Sequence, residues 1–215
     1  IGIFNDNLRF RSRFCASVAM FMSSTTLLSR YFERLGYSGT TEPTLELLRQ
    51  LHELHPQRIP FENLAPYNDL PVPLTVQALD EKLLQQRRGG YCFEHNTLFR
   101  VVLEQLGYEV VPLIARVRWQ VPAQIQTGLT HMLLGVRIDG RLWFADVSFG
   151  STTQTAPLAL IPDMPQRTPH GYFRVATAAG KGYSLEFQTA KGWREVYQFN
   201  VEPAQAVDYE LGNWY

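Results

Sequence analysis

The stretch Arg88-Gly89-Gly90-Tyr91-Cys92-Phe93-Glu94 constrains this chain more than any other. Two glycines and an aromatic lead into a cysteine, and an apolar run begins there: Leu98, Val101, Val102, Leu103 and Leu106. Those offsets fit one face of an amphipathic helix. The spacing predicts Cys92 in the first turn of a helix that follows a glycine-rich turn and ends at Gly107. A helix N-terminus carries unpaired N–H groups and partial positive charge, and both favour thiolate over thiol. A free cysteine is also commonly an inert core residue, so position alone leaves both readings open.

The rest of the chain falls into two textures. Thr26, within a run of possible N-caps from Ser23, precedes a helix with Leu27, Leu28, Tyr31, Phe32 and Leu35 on one face, stopped at Gly36. Pro43 and Thr44 open a second helix through Leu45, Leu48, Leu51 and Leu54, expected to end before Pro56. A proline-rich loop spans 66–73, and Thr75 caps a third helix through Leu79, Leu83 and Leu84. After Gly107 the segments become β-branched and alternating: 108–117, then 131–138 and 142–147 around Asp139-Gly140, then 171–178, 182–189 and 193–200 with turns at Gly180 and Gly192. Another helix is expected to start within 202–211. The fold class is therefore α+β: a helical bundle over 23–107, an antiparallel β-barrel or sheet over 108–200, and the start of a third unit over 201–215.

A thiol nucleophile needs a base, and the base needs a partner that fixes its tautomer. His131 and Asp146 are the best candidates. Asp139-Gly140 is a strong hairpin signal; His131 heads the first arm and Asp146 closes the second, eight residues before Asp139 and six after Gly140. Antiparallel pairing brings those two ends together. A core histidine and a turn aspartate remain the plain alternatives. His95, at i+3 from Cys92, is the competing base but has no evident carboxylate behind it. His52, His55 and His170 read as loop or surface residues. Cys92, Glu94 and His95 lack two further ligands at metal spacing, so no metal is expected.

Lys plus Arg equals Asp plus Glu, at 20 each, which argues against a polyanion partner or an anionic membrane. No apolar run is long enough to span a bilayer. Arg9, Arg11 and Arg13 precede a short apolar run from Phe14 to Met22, interrupted by Ser17, with no cleavage pattern. The preferred reading makes residues 1–22 a disordered extension, with a targeting peptide as the alternative. Cys15 lies in that segment, so a disulfide to Cys92 is not expected, and free thiols point to a reducing, cytoplasmic setting. The chain starts at Ile1 and stops at Tyr215 directly after a structured-looking stretch, and is read as incomplete at both ends. The oligomeric state stays open, a homo-oligomer included.

Four blocks then carry a resemblance: Ile59-Pro60-Phe61-Glu62-Asn63-Leu64, Arg88 to Asn96, Thr130-His131, and Asp146-Val147-Ser148-Phe149-Gly150. In this order and spacing the chain resembles the arylamine N-acetyltransferases, from near Met22 to Tyr215. The resemblance implies a triad of Cys92, His131 and Asp146. It implies ping-pong transfer from acetyl-CoA, through a Cys92 thioester, to an arylamine, hydrazine or arylhydroxylamine, with no other cofactor. It implies a helical bundle, a β-barrel and an α/β lid, the first parts related to papain-like thiol enzymes. Phe61, Phe93, Val117 and Phe149 match acceptor-pocket positions, with core packing the alternative for each. Thr127, Gly128 and Tyr215 match CoA-contacting positions, and Arg88 is expected to pair with Glu62 or Glu94. Family members continue past Tyr215 into the lid, which is expected to be truncated here, and Ser148 stands where a glycine is frequent. An amide synthase of natural-product assembly, a thiol hydrolase or transglutaminase-like enzyme with the same triad, and an inactive copy are the competing readings.

Overall fold

The computed structural model describes residues 26–178 and 182–214. The expectations placed on residues 1–22, on Gly180 and on Tyr215 lie outside the described residues. Thr26 caps α1 (Leu27–Leu35), accepting the Ser29 N–H at 3.2 Å, and Gly36 ends it at φ 70°. Leu27, Tyr31 and Leu35, four apart, turn inward.

The second helix, α2 (Leu45–Arg58), runs through Pro56 rather than stopping before it. A proline near the end of a helix forfeits one bond, to the carbonyl four residues back. The last turn survives because the Ile59 N–H still reaches the His55 carbonyl at 2.9 Å, with Ile59 fully buried. Within the proline-rich stretch a single turn forms, α3 (Leu64–Tyr67). The third expected helix begins as one α turn, α4 (Val76–Leu79), and widens into a π-helical turn over Asp80–Gln85. Helix α5 (Cys92–Gln105) follows and closes on Gly107 at φ 92°.

Eight antiparallel strands come next: β1 (Glu109–Val117), β2 (Leu129–Ile138), β3 (Arg141–Ala145), β4 (Leu158–Ala159), β5 (Gln166–Thr168), β6 (Gly171–Thr177), β7 (Tyr183–Thr189) and β8 (Gly192–Phe199). Their order is β4-β3-β2-β1-β8-β7-β6-β5, and the sheet curls until β4 touches β6, making it nearly closed. The short strands β4 and β5 carry no pattern long enough to read from sequence. Asp139 and Gly140 both take positive φ, 50° and 73°, as a two-residue hairpin turn requires. Pro112 is tolerated inside β1 because β8 pairs only with residues 115–117 of that strand.

Strand β2 is apolar on both faces because both are covered. Met132, Leu134, Val136 and Ile138 pack among the helices, whereas Leu133 joins Phe144, Val175, Leu185, Val196 and Phe199 inside the sheet. Helix α6 (Ala206–Trp214) folds back onto β2, its buried Tyr209 donating to the Leu113 carbonyl at 3.0 Å. No helix among the described residues is long and apolar enough to cross a membrane.

Candidate active site

Cys92 is the first residue of α5, after the N-cap Tyr91, and is 8% exposed. The turn before it is glycine for a steric reason. A Cβ on Gly89 would sit on the Pro60 carbonyl oxygen, and one on Gly90 would lie 2.9 Å from the Glu94 side chain. This close approach lets the 60–62 segment clasp the turn: the Glu62 N–H donates to the Gly90 carbonyl at 2.7 Å, and Phe61 bridges Gly90. Arg88 pairs with Glu62, whose other oxygen takes the Gly89 N–H at 3.1 Å, while Glu94 pairs with Lys82 at 2.6 Å. Burial opposes ionisation of Glu62, but Arg88 and the Gly89 N–H outweigh it and hold the carboxyl below its ordinary range. Glu94 also accepts the Tyr91 N–H at 3.1 Å, occupying one of the helix-start donors.

The expected base, His131, lies on the sheet. His131 pairs with Ala115, but Leu129 pairs with Arg116, so Thr130 is an extra residue bulged out of β2. The Cys92 sulfur lies 3.9 Å from the Thr130 carbonyl oxygen. The His131 ring is packed between Phe149, edge-on at 5.0 Å, and Tyr197 at 4.9 Å. Its Nε2 lies 2.8 Å from Asp146 Oδ2, which leaves Nδ1 outside that pairing, and Cys92 is near enough to the ring to help raise its pKa. Asp146 falls just past β3; the hairpin brings the two ends together diagonally, not face to face.

Asp146 is completely buried, and its remaining oxygen accepts Asn96 Nδ2 and the Ser148 N–H, each at 3.0 Å. Its own N–H donates to His52 Nε2 at 3.1 Å. Burial works against the charge of both triad partners, yet the pairing wins. Asp146 is held below the ordinary carboxylate range, by His131 first and then by Asn96 and Ser148. His131 is pushed up to about 10, by Asp146 first and then by Cys92. The arrangement keeps a proton on the imidazole, facing a sulfur at a helix start, which is the geometry of an activated nucleophile.

Two histidines read from sequence as loop or surface residues, His52 and His55, are fully buried on α2. His170 is exposed, as expected. His95, the competing candidate, has both ring nitrogens engaged as one link of a buried chain. Tyr31 Oη meets His55 Nδ1 at 2.8 Å, His55 Nε2 meets His95 Nδ1 at 2.8 Å, and His95 Nε2 meets the Pro60 carbonyl at 3.2 Å. The carbonyl only accepts, so every proton is fixed: His95 donates from Nε2, His55 donates to His95, and Tyr31 donates to His55. The chain braces α1, α2 and α5 against the clasp beside Cys92. The missed signal was in the spacing: His52 and His55 lie on the same helix face as Leu48 and Leu51. Asn96 was legible in the same way, at i+4 from Cys92.

These histidines give a signed pH dependence. Burial is the leading cause that lowers His52 and His95 to about 4 and His55 well below its ordinary value. Each is neutral when folded and binds a proton near pH 6.5 when unfolded. Their contribution is complete above that pH and is lost as the pH falls towards the folded values. His131 acts oppositely, its contribution fading as pH rises from about 6.5 through about 10. Stability is expected to peak near neutrality and to fall by roughly several kcal/mol on acidification from pH 7 to pH 5. Urea unfolding across that range checks this; equal stability at both ends would refute it.

The residues expected around the triad are not all alike. Phe61 is 50% exposed beside Gly90, and Phe149 is half-buried against His131. Val117 ends β1, opposite Tyr197. Phe93 is fully buried between Tyr91 and Tyr209, packed under Gly212. Thr127 spends its hydroxyl on the Val117 carbonyl at 2.9 Å. Gly128 lines a cavity of about 400 Å³ with Arg116, Thr130, Leu211 and Trp214, reaching the bulge beside Cys92. Among the described residues no cluster of three or more His, Cys, Asp or Glu side chains is placed to hold a metal ion.

The profile of a family described as N-acetyltransferase matches residues 44–215. The arylamine N-acetyltransferase of Escherichia coli is 40% identical over 191 residues, covering 89% of this chain and 67% of that protein. The structure of the Salmonella typhimurium arylamine N-acetyltransferase superposes with a TM-score of 0.84 at 42% identity, over 88% of this chain and 69% of that one. That of the Mycobacterium marinum enzyme, in complex with CoA, gives 0.83 at 39% identity, over 87% and 70%. The family match spans the Gly89-Gly90 turn, the hairpin and the sheet, and on this footing the chain belongs to the arylamine N-acetyltransferase family.

Proposed function

We propose that the protein transfers an acetyl group from acetyl-CoA to an arylamine, hydrazine or arylhydroxylamine by a ping-pong route through a Cys92 thioester. The observation that carries this reading is the buried His131, held by Asp146 through Nε2 with Nδ1 left over, and close to Cys92 at the start of α5. The sulfur passes its proton to His131 and attacks the thioester carbonyl of the donor. The tetrahedral intermediate collapses, and the departing CoA sulfur takes the proton from the imidazolium. The acceptor nitrogen then attacks the acetyl-Cys92 carbonyl and gives its proton to the now neutral His131. Expulsion of the Cys92 sulfur, which takes the proton back from His131, restores the starting site. N–H groups at the start of α5 would meet the oxyanion of both intermediates.

The donor approaches through the cavity bounded by Arg116, Gly128 and Thr130, where the Arg116 guanidinium is the cation available to a phosphate. The acceptor approaches beside Phe61 and Phe149, whose flat faces suit an aryl ring. Mixing the protein with acetyl-CoA should add one acetyl group to Cys92 by intact mass, and an arylamine should discharge it as the N-acetyl product. Absence of uptake, or uptake that persists in Cys92→Ala, defeats the reading. Cleavage of amides without CoA would transfer it to a thiol hydrolase.

A further inference from the structure

A second cavity, of about 380 Å³, lies on the acceptor side, between α2 and the 147–155 loop. Phe61 and His95 line it at the nucleophile end, the first bridging Gly90 and the second one helical turn from Cys92. Its apolar wall is Pro56, Ile59 and Val147. Much of its polar lining is already spent. His95 is committed to Pro60, Thr153 Oγ1 accepts the Phe149 N–H at 2.8 Å, and Thr155 Oγ1 meets Thr168 Oγ1 at 3.1 Å.

Ser148 differs. It is 3% exposed, and its hydroxyl has no hydrogen-bond partner although its N–H is held by Asp146. A buried hydroxyl left unpaired is destabilising, and a ligand that bonds it recovers that cost. Glu53, half-buried, is the carboxylate in the lining and the exposed His170 imidazole is its other ionisable group; among the described residues no lysine or arginine lines the cavity.

We propose that this cavity receives the far end of the acceptor and selects aryl amines whose distal substituent is cationic or donates hydrogen bonds, against those that carry a carboxylate. The inference rests on the transferase reading above. The ring lies beside Phe61 with its amine towards Cys92, and the substituent extends along α2 to Ser148 and Glu53. A carboxylate beside Ser148 would meet the Glu53 charge with no fixed cation, only the exposed His170 imidazole, to offset it, whereas an amidinium would bond both side chains.

Three acceptors of the same shape test this: para-aminobenzamidine, para-aminobenzamide and para-aminobenzoate. The expected order of kcat/KM is amidine, amide, carboxylate, with about tenfold or more between the ends. Glu53→Gln should bring the ends together, weakening the amidine and helping the carboxylate. Ser148→Gly should raise KM for the amidine and the amide roughly threefold with little change in kcat. Equal turnover of the three, or a ratio that Glu53→Gln does not move, overturns the proposal. Acetylation of Cys92 in the unmodified protein is followed first. If that fails, the transferase reading has failed; if it succeeds and the order is absent, only the subsite has.

Discussion

Cys92→Ala should abolish acetyl transfer while the protein stays folded. Every bond change in the proposed route passes through the sulfur, and alanine offers neither a nucleophile nor a leaving group. Removing the nucleophile of such a constellation costs on the order of 10⁴–10⁶ in rate, leaving what binding and polarisation alone supply. The structural cost is small by comparison. Cys92 begins α5 at its N1 position, and the turn before it is held by Glu62, Arg88, Pro60 and Glu94 through backbone groups that alanine leaves untouched. The lost packing is that of one sulfur in a residue 8% exposed, about 1 kcal/mol, or a few degrees in Tm for a chain of this size. Steady-state transfer and a thermal melt on the same preparation check both halves. Turnover well above the uncatalysed rate would remove covalent catalysis from the mechanism.

The sequence makes one part of this site plain and hides another, for physical reasons. Local rules act within a few residues, so the Gly89-Gly90 turn, the cap at Thr26, the stop at Gly36 and the hairpin at Asp139-Gly140 are all readable. The convergence of His131 and Asp146 follows from that hairpin, because the turn fixes the register of its arms. The bulge at Thr130 does not follow, since it depends on how β1 is shared between β2 and β8. Pro56 misleads because a helix tolerates the loss of one terminal bond when its face is buried by long-range packing. The Tyr31–His55–His95 chain is hidden for a related reason: side chains of three helices, 24 and 40 residues apart, must meet before all of its bonds exist. Polar side chains on an apolar helix face look like interruptions until their partners are known. Ser148 shows the same limit, since only the packed loop leaves its hydroxyl without a partner.

Asp146→Asn should cost on the order of 10³–10⁴ in kcat with little change in acceptor KM. The reason lies in the two oxygens of the carboxylate. Oδ1 faces two donors, Asn96 Nδ2 and the Ser148 N–H, so an asparagine must keep its carbonyl oxygen there. The amide nitrogen is then forced to the Oδ2 position, 2.8 Å from His131 Nε2, where it donates. His131 must answer with a lone pair on Nε2, which moves its proton to Nδ1 with no negative charge behind the ring. In that tautomer Nδ1 cannot take the proton of Cys92. Turning the amide over would instead set its NH₂ against the two donors, a worse outcome in a site closed to water. His131 also loses the carboxylate that is the leading cause of its raised pKa, so the imidazolium is no longer favoured. Alkylation of Cys92 by iodoacetamide reads this directly: it should slow strongly at neutral pH and recover as the solution is made more alkaline. Near-normal alkylation and transfer in the folded variant would take Asp146 out of the triad and leave His131 as a base without an orienting partner.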